Sequence, residues 1–373
     1  MNKKIISAGH ICLDITPVFS EARGGSIGEI LIPGSTLQCG QADIHTGGSV
    51  ANTGLALRFF GADVQLMGKI GNDEFGGMVR AILEGHGADT SHMLTGEGAT
   101  AYTVILAFPG IDRVFMHHSG PNDTFCNADV PDESLEGAAL FHFGYPPHMA
   151  RMYEDGGREL TALMKRVHEK GVVVSMDMAG VDEHTESGRA DWDGILARTL
   201  PYVDFFVPSA EEVCYMLDRE RFRDWRRRAA GGAVTDILEP ERDVRPLADK
   251  CVAYGARVVL IKCGKKGMYY KTASREAVTP LAERLGLSAD SWADAEGFQK
   301  SFKPDRVRSE TGAGDVSIAA FLVSALEGGT PGESAALAAG AGASCVEGYD
   351  ALSTLRPLDE LREKINSGWT EQD

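Results

Sequence analysis

The chain has 373 residues, 43% of them hydrophobic, and a formal net charge of −17. That length supports a sizeable core and about two domains. The acidic balance argues against nucleic acid or an anionic membrane as the main partner, while leaving room for an anionic small molecule at a locally positive site.

The start, "MNKKIISAGHICLDI", has an apolar run too short for a leader, broken by His10 and closed by Asp14; "IISAGHICLDI" reads as a first β-strand. No stretch approaches the ~20 apolar residues needed to cross a bilayer. The seven cysteines are scattered, with no CxxC pair, which fits a reduced cytoplasm and thiols packed as small hydrophobes. Residues 14–46 show no helical period. "SVANTGLALRFFG" is a predicted helix stopped by Gly61, "VQLMGKIG" a strand, and "EFGGMVRAILEGHG" a helix ending at glycine. Residues 99–118 read as a hairpin around Pro109-Gly110.

Strands follow at "GAALFHFG", "GVVVSMDM", "VDFFVPS" and "ARVVLIKCGKKGMYYK", with helical segments between them, including 157–169 and 245–254. This β-α-β alternation, with continuous apolar strands, implies a mostly parallel sheet covered on both faces. The two irregular stretches are expected to form a small β-sheet. The predicted organisation is an α/β core of residues 1–13, 47–98 and 119–373, with a lid of residues 14–46 and 99–118. Segment 281–309 carries no recognisable chemistry.

Near the C-terminus, "ETGAGDVSIAAFLVSAL" places three small residues before one acid and a long apolar helix. The first amides of a helix lack internal acceptors, and without bulky side chains at Gly312, Ala313 and Gly314 an anion can reach them. Asp315 is then either a general base beside a held phosphoryl group or simply a helix N-cap. "TGGSVAN" similarly sets Gly47-Gly48 at a strand-to-helix turn, with Asn52 one turn in. Thr330 and Glu333 form a predicted capping box.

These two glycine signatures in this order, with "AGHICLD", the β lid and "VVLIKCGKKG", resemble the ribokinase-like (PfkB) carbohydrate kinase family over essentially the whole chain. The resemblance implies a three-layer α/β/α, Rossmann-like core with a lid. It implies a kinase that moves the γ-phosphoryl group of ATP, with Mg²⁺, to a hydroxyl of a sugar or sugar acid. Asp315 would be the base, and the amides of Gly312, Ala313 and Gly314 the anion hole. Asp14, Gly48 and Asn52 would bind the sugar, with Asn122 in "HHSGPNDTF" a further contact. In "PSAEEV" Glu212 would assist Mg²⁺ through water, and Ser209 stands where Asn is usual. Lys262, Gly264 and Gly267 fall on the nucleotide-contacting turn; Lys262 replaces a frequent Thr and is either a cation for ATP phosphates or a surface lysine. Where many members read Asp-Thr-Thr and help bind K⁺, this chain has Ser309-Glu310-Thr311; Glu310 supplies a substitute carboxylate or the site is absent. A nucleoside kinase, with Tyr102, Phe108 or Phe115 stacking on a base, and a catalytically silent sugar-binding relative are the alternatives. Exposed lid edges imply a homodimer formed through the lids.

Overall fold

The computed structural model describes residues 3–19, 27–109 and 113–372. Fourteen strands occur in chain order among them: β1 Lys4–Gly9, β2 Cys12–Pro17, β3 Ala42–Gly47, β4 Asp63–Met67, β5 Lys69–Ile70, β6 Leu94–Thr95, β7 Tyr102–Leu106, β8 Val114–His118, β9 Ala138–Gly144, β10 Val173–Asp177, β11 Phe205–Phe206, β12 Val258–Lys262, β13 Gly267–Thr272 and β14 Glu296–Lys300.

Eight of them form one sheet in the order β14-β13-β12-β11-β10-β9-β1-β4. Pairing is parallel from β4 to β12, and antiparallel only where β13 and β14 are added. The parallel strands are apolar on both faces, as a doubly covered sheet requires. Successive residues feed opposite layers. Ile5, Leu140, Val173, Phe205 and Val258 pack under the helices Ser49–Phe59, Ala313–Leu326 and Pro331–Cys345. Ile6, Phe141, Val174, Phe206 and Val259 pack under Arg158–Glu169, Trp192–Thr199, Ala210–Leu217 and Arg245–Ala253. The result is the expected three-layer α/β/α core. Ala313–Leu326 is buried along nearly its whole length.

A second sheet, β3-β2-β7-β8, stands apart from the first. It draws on the two irregular stretches of sequence, although β2 already begins at Cys12 and β3 runs to Gly47. β7 and β8 pair as the expected hairpin; Gly110 at its tip lies outside the described residues, as do 20–26 of the first stretch.

Two sequence expectations need correction. "IISAGHICLDI" is two strands in two sheets, not one. The chain bends at Gly9, whose φ of 125° brings it so close to β9 that a Cβ there would stand 2.3 Å from the Gly144 carbonyl oxygen. "ARVVLIKCGKKGMYYK" is likewise two antiparallel strands, β12 and β13, joined by a turn. The polar segment 281–309 supplies the edge strand β14.

Candidate active site

β1 lies between β9 and β4, with the chain proceeding to opposite sides of it. In open α/β sheets, ligands bind at the carboxyl ends of strands flanking such a reversal. Here those ends are Gly9 and Gly144, and the helix carrying Asp315 begins beside them.

The Asp315 carboxylate is buried, 3% exposed, and accepts from three side chains. Thr53 Oγ1 donates to Oδ1 at 3.0 Å and Asn52 Nδ2 to Oδ2 at 3.1 Å. Tyr145 Oη reaches both oxygens, at 2.9 and 2.8 Å. Burial pushes the Asp315 carboxyl above the usual carboxylate range, while Lys262 and these three donors pull it back. Gly312 holds φ at 76°, and a Cβ on it would lie 2.4 Å from Ala351 Cβ. The Ala313 amide turns back to the Glu310 carbonyl at 3.3 Å. Among the described residues the amides of Gly312, Gly314 and Asp315 have no such carbonyl, so only the Ala313 amide of the turn is engaged by backbone.

Lys262 is mostly enclosed, its side chain 13% exposed, rather than a surface lysine, and runs alongside this turn: its Cδ and Cε lie 3.6 Å from the position of a Gly314 Cβ. Its Nζ donates to Asp177 Oδ1 at 2.8 Å. Burial pushes Asp177 up to about 8 against the pull of Lys262. Burial opposes the Lys262 charge, yet Asp177 and Glu212 hold the ammonium above its usual range.

Ser209 and Glu212 form a reciprocal capping box at the start of Ala210–Leu217: Ser209 N donates to Glu212 Oε2 at 2.7 Å, and Glu212 N to Ser209 Oγ at 3.3 Å. The Ser209 side chain is thus engaged as a cap. Gly264 and Gly267 shape the β12–β13 turn with φ of 58° and 127°; a Cβ on Gly267 would stand 2.0 Å from the Gln299 carbonyl oxygen.

On the other side of Asp315, Asp14 projects from β2 and accepts from Cys12 Sγ at 3.3 Å. Its carboxylate occupies the space that a Gly47 Cβ would fill, 2.2 to 2.5 Å away. Gly48 has φ of 84°, and its own Cβ would meet the His10 carbonyl oxygen at 2.5 Å. Both glycines therefore permit the close approach of β1–β2 to the helix Ser49–Phe59. Asp14 and Asn52 face a cleft of about 1310 Å³, also lined by Arg58, Arg113 and Arg308. Arg113 Nη1 donates to Thr311 Oγ1 at 2.6 Å, joining the small sheet to the turn before Asp315.

Asn122 is placed differently. Its Oδ1 accepts from Ile11 N at 3.1 Å, and its Nδ2 donates to Ile11 O at 2.9 Å and to Ser119 O at 2.8 Å. The fully buried amide is committed to backbone and holds the β1–β2 bend, rather than presenting free donors to a sugar. Of the three aromatics available for a nucleobase, Tyr102 packs against Phe75 and Phe108 against Phe19, while Phe115 is exposed beneath the Arg113 guanidinium. Glu310 is exposed, and Ser309 Oγ accepts from the Thr311 amide at 3.2 Å.

Tyr145, Thr53 and Asp177 belong to the Asp315 cluster but are absent from the sequence-derived site. Tyr145 has a left-handed backbone, φ 64°, before Pro146-Pro147. Strain of that kind in a non-glycine residue concentrates at functional sites; in the sequence its signal is the Tyr-Pro-Pro run that directly follows the apolar strand β9.

Comparison with known proteins agrees with this geometry. The profile described as "pfkB family carbohydrate kinase" matches residues 3–356. A protein from Archaeoglobus fulgidus described as an uncharacterised sugar kinase is 25% identical over 81% of this chain and 98% of its own. The 5-dehydro-2-deoxygluconokinase of Clostridium beijerinckii is 21% identical over 97% of this chain and 92% of its own. Among solved structures, Arabidopsis thaliana ribokinase complexed with ribose and ATP superposes with a TM-score of 0.69 at 19% identity, covering 97% of this chain and 98% of that one. The fold is therefore ribokinase-like, and the chain belongs to the pfkB family of carbohydrate kinases.

Proposed function

We propose that this kinase transfers the γ-phosphoryl group of ATP to a hydroxyl of a sugar or sugar acid, with Asp315 as general base. The observation that carries this reading is a buried carboxylate with a raised pKa at the open N-terminus of a helix, at the strand ends where the sheet reverses. Such a group is held in place yet is basic enough to take a proton from an alcohol.

Asp14 and Asn52 orient the sugar in the cleft, and the glycines beneath them let its hydroxyls approach backbone. The attacking hydroxyl displaces or shares the Tyr145 hydrogen bond to Asp315. The free amides of Gly314 and Asp315 face the phosphoryl group, and Lys262 adds a cation along the same edge. The glycine cradle and the carboxylate of Glu212 suit a magnesium nucleotide: Glu212 would hold Mg²⁺ through water, and that ion supplies charge neutralisation on the phosphates. The sheet β3-β2-β7-β8 covers the sugar and keeps water from competing as acceptor. Its edge strand β8 exposes Phe115 and Met116, 55% and 49% accessible, and pairs with a second copy to give a homodimer.

The test is ATP consumption by purified protein with Mg²⁺ across a panel of sugars, sugar acids and nucleosides, with and without K⁺. A sugar or sugar acid as the sole strong acceptor supports the reading, and a nucleoside overturns it. The K⁺ comparison reads what Ser309-Glu310 does at the usual potassium position. Light scattering of the same sample reads the dimer.

A further inference from the structure

Four segments bring soft donors together beside Asp14. His10 lies in the β1–β2 bend, Cys12 opens β2, His117 is on β8, and His148 follows β9. The donor atoms of His10, Cys12 and His117 all lie within 4.8 Å of one another, the one such group of three among the described residues. The Nε2 atoms of His10 and His117 face each other at 3.2 Å. The His148 ring is centred 5.6 Å from His10 and 5.2 Å from His117.

We propose that His10, Cys12 and His117 form a three-ligand site for a soft divalent cation of the zinc type, with water completing the tetrahedron. Two imidazoles on a tetrahedral zinc, each about 2.0–2.1 Å from the ion, hold their nitrogens about 3.3 Å apart. The observed separation matches that span, and the sulfur has to move inward by no more than about an ångström.

The surroundings favour ligation. His117 Nδ1 lies 3.0 Å from Thr103 Oγ1, and the same hydroxyl lies 3.6 Å from Cys12 Sγ. A hydroxyl that accepts from Nδ1–H leaves the His117 Nε2 lone pair aimed at His10, and its own proton points to the sulfur. This is the outer-shell arrangement that fixes ligand tautomers in metal sites. Imidazole and thiolate donors select zinc-like ions over magnesium, so this site is chemically separate from the oxygen-lined environment of a magnesium nucleotide. His10 and His148 belong to the large-sheet core, Cys12 and His117 to the small sheet. An ion bound by His10, Cys12 and His117 ties one sheet to the other next to the acid expected to hold the sugar.

Metal-depleted protein titrated with Co²⁺ decides this without reference to turnover, substrate or ATP. The expected result is one equivalent bound, visible bands of tetrahedral cobalt, a near-ultraviolet thiolate-to-cobalt band, and displacement of both by Zn²⁺. Cys12→Ser removes the thiolate band. His117→Ala, on an exposed strand where folding is spared, weakens binding at least ~10-fold. Cys39→Ser, at an exposed thiol, changes neither. Absence of stoichiometric binding overturns the proposal, as does a spectrum unaltered by Cys12→Ser and His117→Ala in variants whose circular dichroism matches the parent.

Discussion

The neighbourhood of Asp315 and the small sheet lie on either side of one cleft and are built on opposite terms. Around Asp315 the side chains are buried or partly buried and hydrogen-bonded to one another. Tyr145, Asn52 and Thr53 share one carboxylate, and Lys262 is paired to Asp177 behind it. The small sheet is thin, β8 is exposed along all five residues, and Ile32 in the segment following β2 is 57% accessible. Chemistry common to a kinase family needs fixed geometry, and burial provides it. Discrimination among sugars can be left to a part whose sequence varies at little cost to the fold.

Substitutions sharpen that contrast. The largest expected effect is from Lys262→Met, which strands Asp177 in the core; breaking a buried pair costs about 3–5 kcal/mol. Urea unfolding measures it, and adding Asp177→Asn restores most of the loss. Equal stability in the single variant would mean that the pair does not organise this region. Asp315→Asn lowers kcat at least ~100-fold, on the scale of general-base catalysis, with ATP binding nearly unchanged. Steady-state kinetics paired with nucleotide titration separates the two.

Tyr145→Phe acts through pH. The Tyr145 hydroxyl favours the charged carboxylate, so removing it raises the Asp315 pKa further. Asp315 must be unprotonated to act, and the acid limb of the kcat profile therefore moves to higher pH. A limb that stays in place would show that Tyr145 does not govern the base. The smallest effect is predicted for Ile32→Ser, which alters stability by less than about 0.5 kcal/mol. A loss of several kcal/mol there would erase the distinction between the two regions.

Much of the molecule is legible in its sequence for physical reasons. Apolar runs of strand length must be buried, so β9, β10 and β12 stand out. The Thr330–Glu333 capping box is local and appears as read, with Glu333 N donating to Thr330 Oγ1 at 3.3 Å. The split of the first apolar run is hidden, because both halves are apolar and only the backbone of Gly9 distinguishes them. Asn122 looks free in sequence, since its partners are backbone groups of Ile11, 111 residues away. Tyr145 is invisible for a similar reason: its hydroxyl meets Asp315 across 170 positions. Lys262 is informative as a charge, but the carboxylate that anchors it comes from another strand.

The bend at Gly9 gives the small sheet a lever arm. β1 is locked between β9 and β4, and the Asn122 amide clamps Ile11, so rotation of the small sheet relative to the core has its fulcrum within three residues. At roughly 3.3 Å per residue, Asp14 stands at most about 17 Å beyond that fulcrum. A tilt of about 5° thus shifts its carboxylate by on the order of 1 Å, a displacement that alone can cost ~100-fold in a reaction depending on alignment. If Asp14 holds the sugar as proposed, packing at the bend, remote from any atom that reacts, sets how finely its hydroxyl is aimed at Asp315.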